Sequence, residues 1–174
     1  MAAITAPYVE TQQVVTGFIY QLHIAEEENG TGITRLDIGP YFFPGAPPRV
    51  KYPEAVTNEM CPPGWQGIRW VSDAGGASWL RWEGGRLRAE DGEQIFQLTS
   101  NYPPSNTGAQ LYVWRQGAKS ADRFTLSAPD YSQPPPKNNP RHDVKGQKSF
   151  AQATGCAPLL ALGALILAAA RHWL

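Results

Sequence analysis

Residues 14–24, VVTGFIYQLHI, alternate between two faces with a period of two. Val14, Phe18, Tyr20, Leu22 and Ile24 share one face, and Val15, Gly17, Ile19, Gln21 and His23 share the other. Alternation carried by β-branched and aromatic residues predicts a strand. The pattern recurs along the chain in short runs separated by turn residues. EEENGTG contains Asn29-Gly30, a strong turn signal, and ITRLDI (33–38) reads as the returning strand. YFFPGAPPRVKYP reads as a Pro-rich loop with a short strand at Arg49–Tyr52. In CPPGWQGIRWV, Gln66, Ile68 and Trp70 share a face; SDAGGA is a turn and SWLRWE (78–83) the strand back. Asp91-Gly92 lies between two alternating runs and predicts another hairpin. AQLYVWRQ and DRFTLSA supply the last two strands. Eight or nine short strands at this spacing, with no helical periodicity before residue 150, predict an all-β sandwich over residues 1–128, of immunoglobulin-like character. The 17 glycines and 16 prolines, without any repeating period, suit a chain of many turns.

After Ala128 the composition changes. PDYSQPPPKNNPRHDVKGQKSF is almost free of apolar side chains, and Pro134-Pro135-Pro136 favours an extended conformation. Residues 129–152 therefore read as a semi-rigid linker that cannot bury enough surface to fold alone. From Gly155 to Ala170 no residue is charged, and Leu, Ile and Ala dominate. Thr154 can cap a helix and Pro158 suits its first turn. A helix from Ala157 to Leu174 would be about 27 Å long, close to the hydrocarbon thickness of a bilayer. It would be apolar on every face, which favours a membrane segment at 153–174 over a core helix.

Lys137, Arg141, Lys145 and Lys148 precede that segment and only Arg171 follows it. The excess of basic residues predicts that the linker stays cytoplasmic and the C-terminus crosses. It also predicts that Lys145 and Lys148 contact anionic headgroups. The start, MAAITAPYVETQQVV, lacks the basic opening, apolar run and cleavage site of a secretory signal. That is the expectation for a domain remaining on the side where it is made, or for a true start farther upstream.

The chemistry search is mostly negative. Lys+Arg and Asp+Glu balance at 15 each, so there is no basic excess to neutralise phosphates and no expectation of a nucleic-acid partner. His23, His142 and His172 have no metal-ligand spacing, and neither Cys61 nor Cys156 has a CxxC partner. A disulfide between the two would have to join the body of the chain to its apolar tail, so both are expected to be free thiols. Glu26-Glu27-Glu28 reads as a solvated hairpin tip, and Glu90, Asp91 and Glu93 as turn flanks. No nucleophile, phosphate or dinucleotide motif occurs, so neither a cofactor nor catalysis is expected.

The aromatic residues carry more information. Trp79 and Trp82 are an odd number apart on one strand, so one faces the core and the other faces out or is covered. Interface centres are rich in Trp, Tyr and Arg. Trp79, Arg81, Trp82 and Tyr112 are therefore the candidate interaction surface.

The tail resembles the C-terminal sorting signals of bacterial surface proteins, through Gly155-Cys156, the apolar run and the basic Arg171-His172. The body is similar to the β-sandwich modules that accompany such tails, through Pro62-Pro63-Gly64-Trp65, Trp70, Asp91-Gly92, Phe96 to Ser100 and Tyr102-Pro103-Pro104. This resemblance implies an exported, surface-anchored domain with Cys156 as a processing or lipidation site. Three functions thus stand as expectations. The first is a non-enzymatic membrane-anchored module, such as an accessory subunit of a larger membrane complex. The second is an exported surface protein with a processed tail. The third is a carbohydrate- or lipid-acting enzyme with a loop-built site holding two carboxylates.

Overall fold

The computed structural model describes residues 6–135. The greater part of the expected linker, with Lys145 and Lys148, and the expected membrane segment, with Cys156, lie outside the described residues. Among the described residues no helix is long and apolar enough to cross a membrane.

The described residues form an all-β fold of antiparallel sheets. β1 (Tyr8–Val14), β2 (Gly17–Ile24), β7 (Gln94–Ser100) and β4 (Thr57–Met60) make a four-stranded sheet in that order. β10 (Asp122–Thr125), β9 (Gln110–Arg115), β3 (Ile33–Phe42), β6 (Ala77–Leu87) and β5 (Arg69–Ser72) make a five-stranded sheet. A two-residue ladder joins β11 (Ala128–Pro129) to β8 (Pro104–Ser105).

Both large sheets turn one face to a common core. Phe18, Tyr20, Leu22, Ile24, Phe96 and Leu98 come from the first sheet, and Leu36, Ile38, Leu80, Trp82, Leu111 and Val113 from the second. Trp82 and Phe96 meet across the interior with ring centroids 5.7 Å apart. Burying each such side chain contributes roughly 1.5–3 kcal/mol. The arrangement is consistent with a β-sandwich.

Several local expectations hold, but the partners of the strands differ. The run at 14–24 is broken at Val15-Thr16, where a two-residue turn joins β1 to β2. Gly17 sits at φ +147°, and a Cβ there would lie 2.3 Å from the Ser100 carbonyl oxygen, so no other residue fits. The Asn29-Gly30 turn forms, with Gly30 N–H donating to the Glu27 carbonyl at 2.9 Å. β3 does not return to β2, however; it crosses to the other sheet, and β2 pairs with β7 instead. The Asp91-Gly92 turn likewise connects strands of different sheets, β6 and β7, through a 3-10 turn at Ala89–Asp91. Neither turn closes a hairpin, because each pair of flanking strands covers the same core from opposite sides. The β5–β6 and β9–β10 hairpins form as expected. Asp73 closes the first of these by accepting the N–H of Gly75 at 2.9 Å and of Ala77 at 3.0 Å.

No strand forms at residues 49–52. That loop is held by side chains instead. Tyr52 stacks on Trp70 at 5.0 Å, and the Trp70 indole N–H donates to the Glu54 carbonyl at 3.0 Å. The Glu54 carboxylate accepts from Asn101 N–H and the Tyr131 hydroxyl, each at 2.9 Å, and from the Ser100 hydroxyl. Tyr131 packs edge-on against Tyr41 at 5.0 Å and Trp70 at 5.2 Å. Packing therefore continues past Ala128, and the C-terminal end of the domain is clamped to its long loop.

This clamp has an alkaline consequence. Burial, reinforced by neighbouring Tyr20, pushes the Tyr41 phenol well above its ordinary value; burial, reinforced by Glu54, does the same for Tyr131. A raised folded pKa means that the native state keeps a proton the unfolded chain releases. Its stability contribution is complete below about pH 10 and falls above it, by about 1.4 kcal/mol per pH unit for each phenol. Burial, reinforced by Glu54, raises the Tyr20 phenol as well. With three such phenols, urea melts above about pH 10 should lose roughly 4 kcal/mol per unit. Tyr131→Phe should remove about a third of that slope while lowering stability at neutral pH. A slope unchanged by the substitution counts against the assignment.

Candidate interaction surface

The side of the five-stranded sheet away from the core is crossed by a single row of paired residues. Arg123 pairs with Tyr112, Tyr112 with Asp37, Asp37 with Arg81, and Arg81 with Arg69. Directly opposed residues of antiparallel strands share a face, so these five side chains lie in line. Trp79 belongs to the next row and meets Tyr112 edge-to-face at 5.0 Å. Trp79, Arg81 and Tyr112 are all half-buried. Three of the four residues expected at an interaction surface thus come together.

Trp82 does not join them. Its side chain is fully buried and faces the core, in contact with Phe96. The alternation of β6 puts it on the opposite face from Arg81, as strand geometry requires. The expectation for Trp82 is corrected: it is a packing residue.

Asp37 organises the surface and was not expected there. Its carboxylate is almost wholly buried, with a side-chain exposure of 4%. Arg81 grips it with two bonds, Nε to Oδ1 at 2.6 Å and a terminal nitrogen to Oδ2 at 3.3 Å. The Trp114 indole N–H donates to Oδ2 at 3.0 Å. Arg35 Nε lies 3.1 Å from the same oxygen, close enough to pair but off the line of a hydrogen bond. The Arg35 guanidinium carbon sits 3.9 Å from the Trp114 ring centroid, a cation–π contact. Burial draws the Arg35 pKa below its ordinary value, against the opposing pull of Asp37. Glu83 pairs with Arg69 and lies 3.8 Å from Arg81. These contacts fix planar side chains that would otherwise sample many rotamers. The available signal was the outward pair Arg35 and Asp37, flanking core-facing Leu36 and Ile38 on β3 two residues apart.

Beside this network lies a shallow, open depression of about 410 Å³, lined by Thr34, Arg35, Gln66, Glu83, Gly84, Trp114, Arg115 and Ala118. Glu83 is the one carboxylate in that lining, and it is ion-paired. A second acidic side chain also departs from expectation. Glu26 is not solvated: its carboxylate accepts from Arg115 Nε at 2.8 Å and from the Gly32 N–H at 2.9 Å. The crossing from β2 to β3 carries it under the end of β9. Glu27 and Asp122 complete the group around Arg115.

On the outer face of the other sheet, His23 stacks on Tyr8 at 4.5 Å, and its Nδ1 lies 3.1 Å from a Glu93 carboxylate oxygen. Among the described residues no group of three His, Cys, Asp or Glu side chains could hold a metal ion. Cys61, buried beside Trp65, is disulfide-bonded, which corrects the expectation of a free thiol there. No protein-family model matches the chain, and no curated protein matches it.

Proposed function

We propose that this chain is a non-enzymatic recognition module, an immunoglobulin-like sandwich tethered to a membrane by residues 153–174 and serving as an accessory subunit of a larger membrane assembly. The observation that carries the reading is the outer face of the five-stranded sheet. There Trp79, Tyr112 and Trp114 alternate with Arg35, Arg81 and Arg69, and the buried Asp37 carboxylate holds the centre in place. Such residues dominate interface centres, and side chains already fixed lose little entropy on binding. Asp37 and Glu83 are both taken up by arginines, which suits recognition better than proton transfer.

The strand order supports the immunoglobulin-like part. β1, β2, β7 and β4 take the places of A, B, E and D, and β3, β9 and β10 those of C, F and G. The β5–β6 hairpin is an addition beside β3. The apolar, uncharged run at Gly155–Ala170 supports the tether. A tether raises the local concentration of the domain toward membrane partners.

Affinity purification of the full chain from detergent-solubilised native membranes tests this. The wild type should bring down a membrane partner, and Trp79→Ala combined with Tyr112→Ala should lose it. Both rings are half-buried at the surface, so the pair should cost only about 1–2 kcal/mol of stability. Removing residues 153–174 should release the protein from the membrane fraction. Retained capture by the double variant, or a full-length chain that stays in the supernatant, sinks the reading.

A second reading is an exported surface protein with a processed tail, supported by the likeness of Gly155-Cys156, the apolar run and Arg171-His172 to a sorting signal. Intact mass of the mature protein separates the two. Loss of residues beyond Cys156, or a lipid on it, supports a processed tail. Retention of Leu174 supports an anchor.

A further inference from the structure

The outer face of the five-stranded sheet carries more positive than negative charge at its centre, and the excess falls on one residue. Three arginines, Arg35, Arg69 and Arg81, surround two carboxylates, Asp37 and Glu83. Arg81 is committed to Asp37 through two bonds, and Arg69 to Glu83. Arg35 touches Asp37 only through Nε, out of hydrogen-bond alignment. Its two terminal nitrogens have no hydrogen-bond partner among the described residues. The guanidinium is nonetheless held in place, with Trp114 against its face and Asp37 at one edge; Trp114 is itself tied to Asp37. Arg35 also lines the depression of about 410 Å³.

We propose that this depression receives one carboxylate, supplied by an aspartate or glutamate side chain of the protein partner; the proposal rests on the recognition-module reading. The unengaged edge of Arg35 offers two parallel N–H donors, the geometry that matches a planar carboxylate. Stacking on Trp114 fixes the fork before the ligand arrives, so little ordering remains to be done on binding. Gln66 is exposed in the same lining, with its backbone N–H anchored to the Glu83 carbonyl at 2.7 Å, and its side-chain amide can donate a further bond. Arg115 at the rim does not compete, because Glu26, Glu27 and Asp122 occupy it. Charge sets the ligand class. Three arginines against two carboxylates leave one positive charge, at Arg35, while Glu83 and the two negative charges left over around Arg115 repel a second negative charge on the ligand. A monoanionic carboxylate fits that balance, and a phosphate dianion does not.

The test follows the Trp114 indole N–H resonance of the full chain in detergent micelles. Sodium acetate, sodium phosphate and sodium chloride are added at matched ionic strength. Acetate should give a saturable shift, phosphate a weaker one and chloride none. Arg35→Lys keeps the charge and removes the fork; it should weaken acetate binding about tenfold (~1.4 kcal/mol) with the wild-type melting curve retained. A chloride response equal to that of acetate, tighter binding of phosphate, or an Arg35→Lys variant that binds acetate like the wild type overturns the proposal. Capture from solubilised membranes tests the source: Arg35→Lys should recover about tenfold less partner. Unchanged capture alongside weakened acetate binding would assign the site to a free small carboxylate and overturn the partner assignment. The two failures are distinguishable. Loss of the recognition-module reading appears as no capture by the wild type, whereas loss of this site appears in the acetate titration.

Discussion

Trp82→Ala should destabilise the domain by about 3–5 kcal/mol. The side chain has no exposed surface and lies in the interior between the two sheets, against Phe96. Removing it opens a cavity that strands from both sheets would have to collapse to fill. Their backbone hydrogen bonds resist that movement, so the full cavity cost is expected. Urea melts should show a lower midpoint with an unchanged slope, the sign of lost stability and not of a less compact fold. Trp79→Ala on the same strand is the control. Its side chain is half-buried and faces outward, so a loss of about 1 kcal/mol is expected. Equal losses for the two tryptophans would mean that the facing of β6 is wrong.

Asp37→Ala should be comparably damaging, at about 3–4 kcal/mol, for an electrostatic reason. The carboxylate stands between Arg81 at 2.6 Å and Arg35 at 3.1 Å and accepts the Trp114 N–H at 3.0 Å. Without it two guanidinium groups face each other and an indole N–H loses its acceptor. Breaking a buried pair costs more than the pair contributes, because the remaining charge is left without compensation. Asp37→Asn keeps the volume and an acceptor for Trp114, so it should cost less, about 1–2 kcal/mol. The two variants separate charge from shape. The repulsion left by Asp37→Ala is screened by salt, so its deficit should shrink between low and high ionic strength. A double-mutant cycle with Arg81→Ala should give a coupling of about 1–3 kcal/mol. A deficit independent of salt, with zero coupling, would count against the network.

The candidate site was partly legible from residue types alone. Trp79, Arg81 and Tyr112 lie on one outer face of the sheet, because strand alternation is a local property. Asp37 and Arg35 were not recognised, because an outward-facing Arg-x-Asp on a strand usually means solvent. Only the pairing of β3 between β6 and β9 surrounds Asp37 with Arg81 and Trp114. Glu26 was misread for the same reason: its partner, Arg115, is 89 residues away in sequence.

Period-two alternation and turn chemistry, read from the residues alone, determined that the described part of this chain is all-β and where most of its chain reversals fall. Local sterics and side-chain period suffice for that. Which strands become neighbours was decided only in the tertiary structure. Asn29-Gly30 and Asp91-Gly92 form turns, yet the strands they join part to opposite sheets. A turn sets the direction of the chain, whereas pairing is set by which faces must be buried together, and that depends on contacts between residues far apart in sequence.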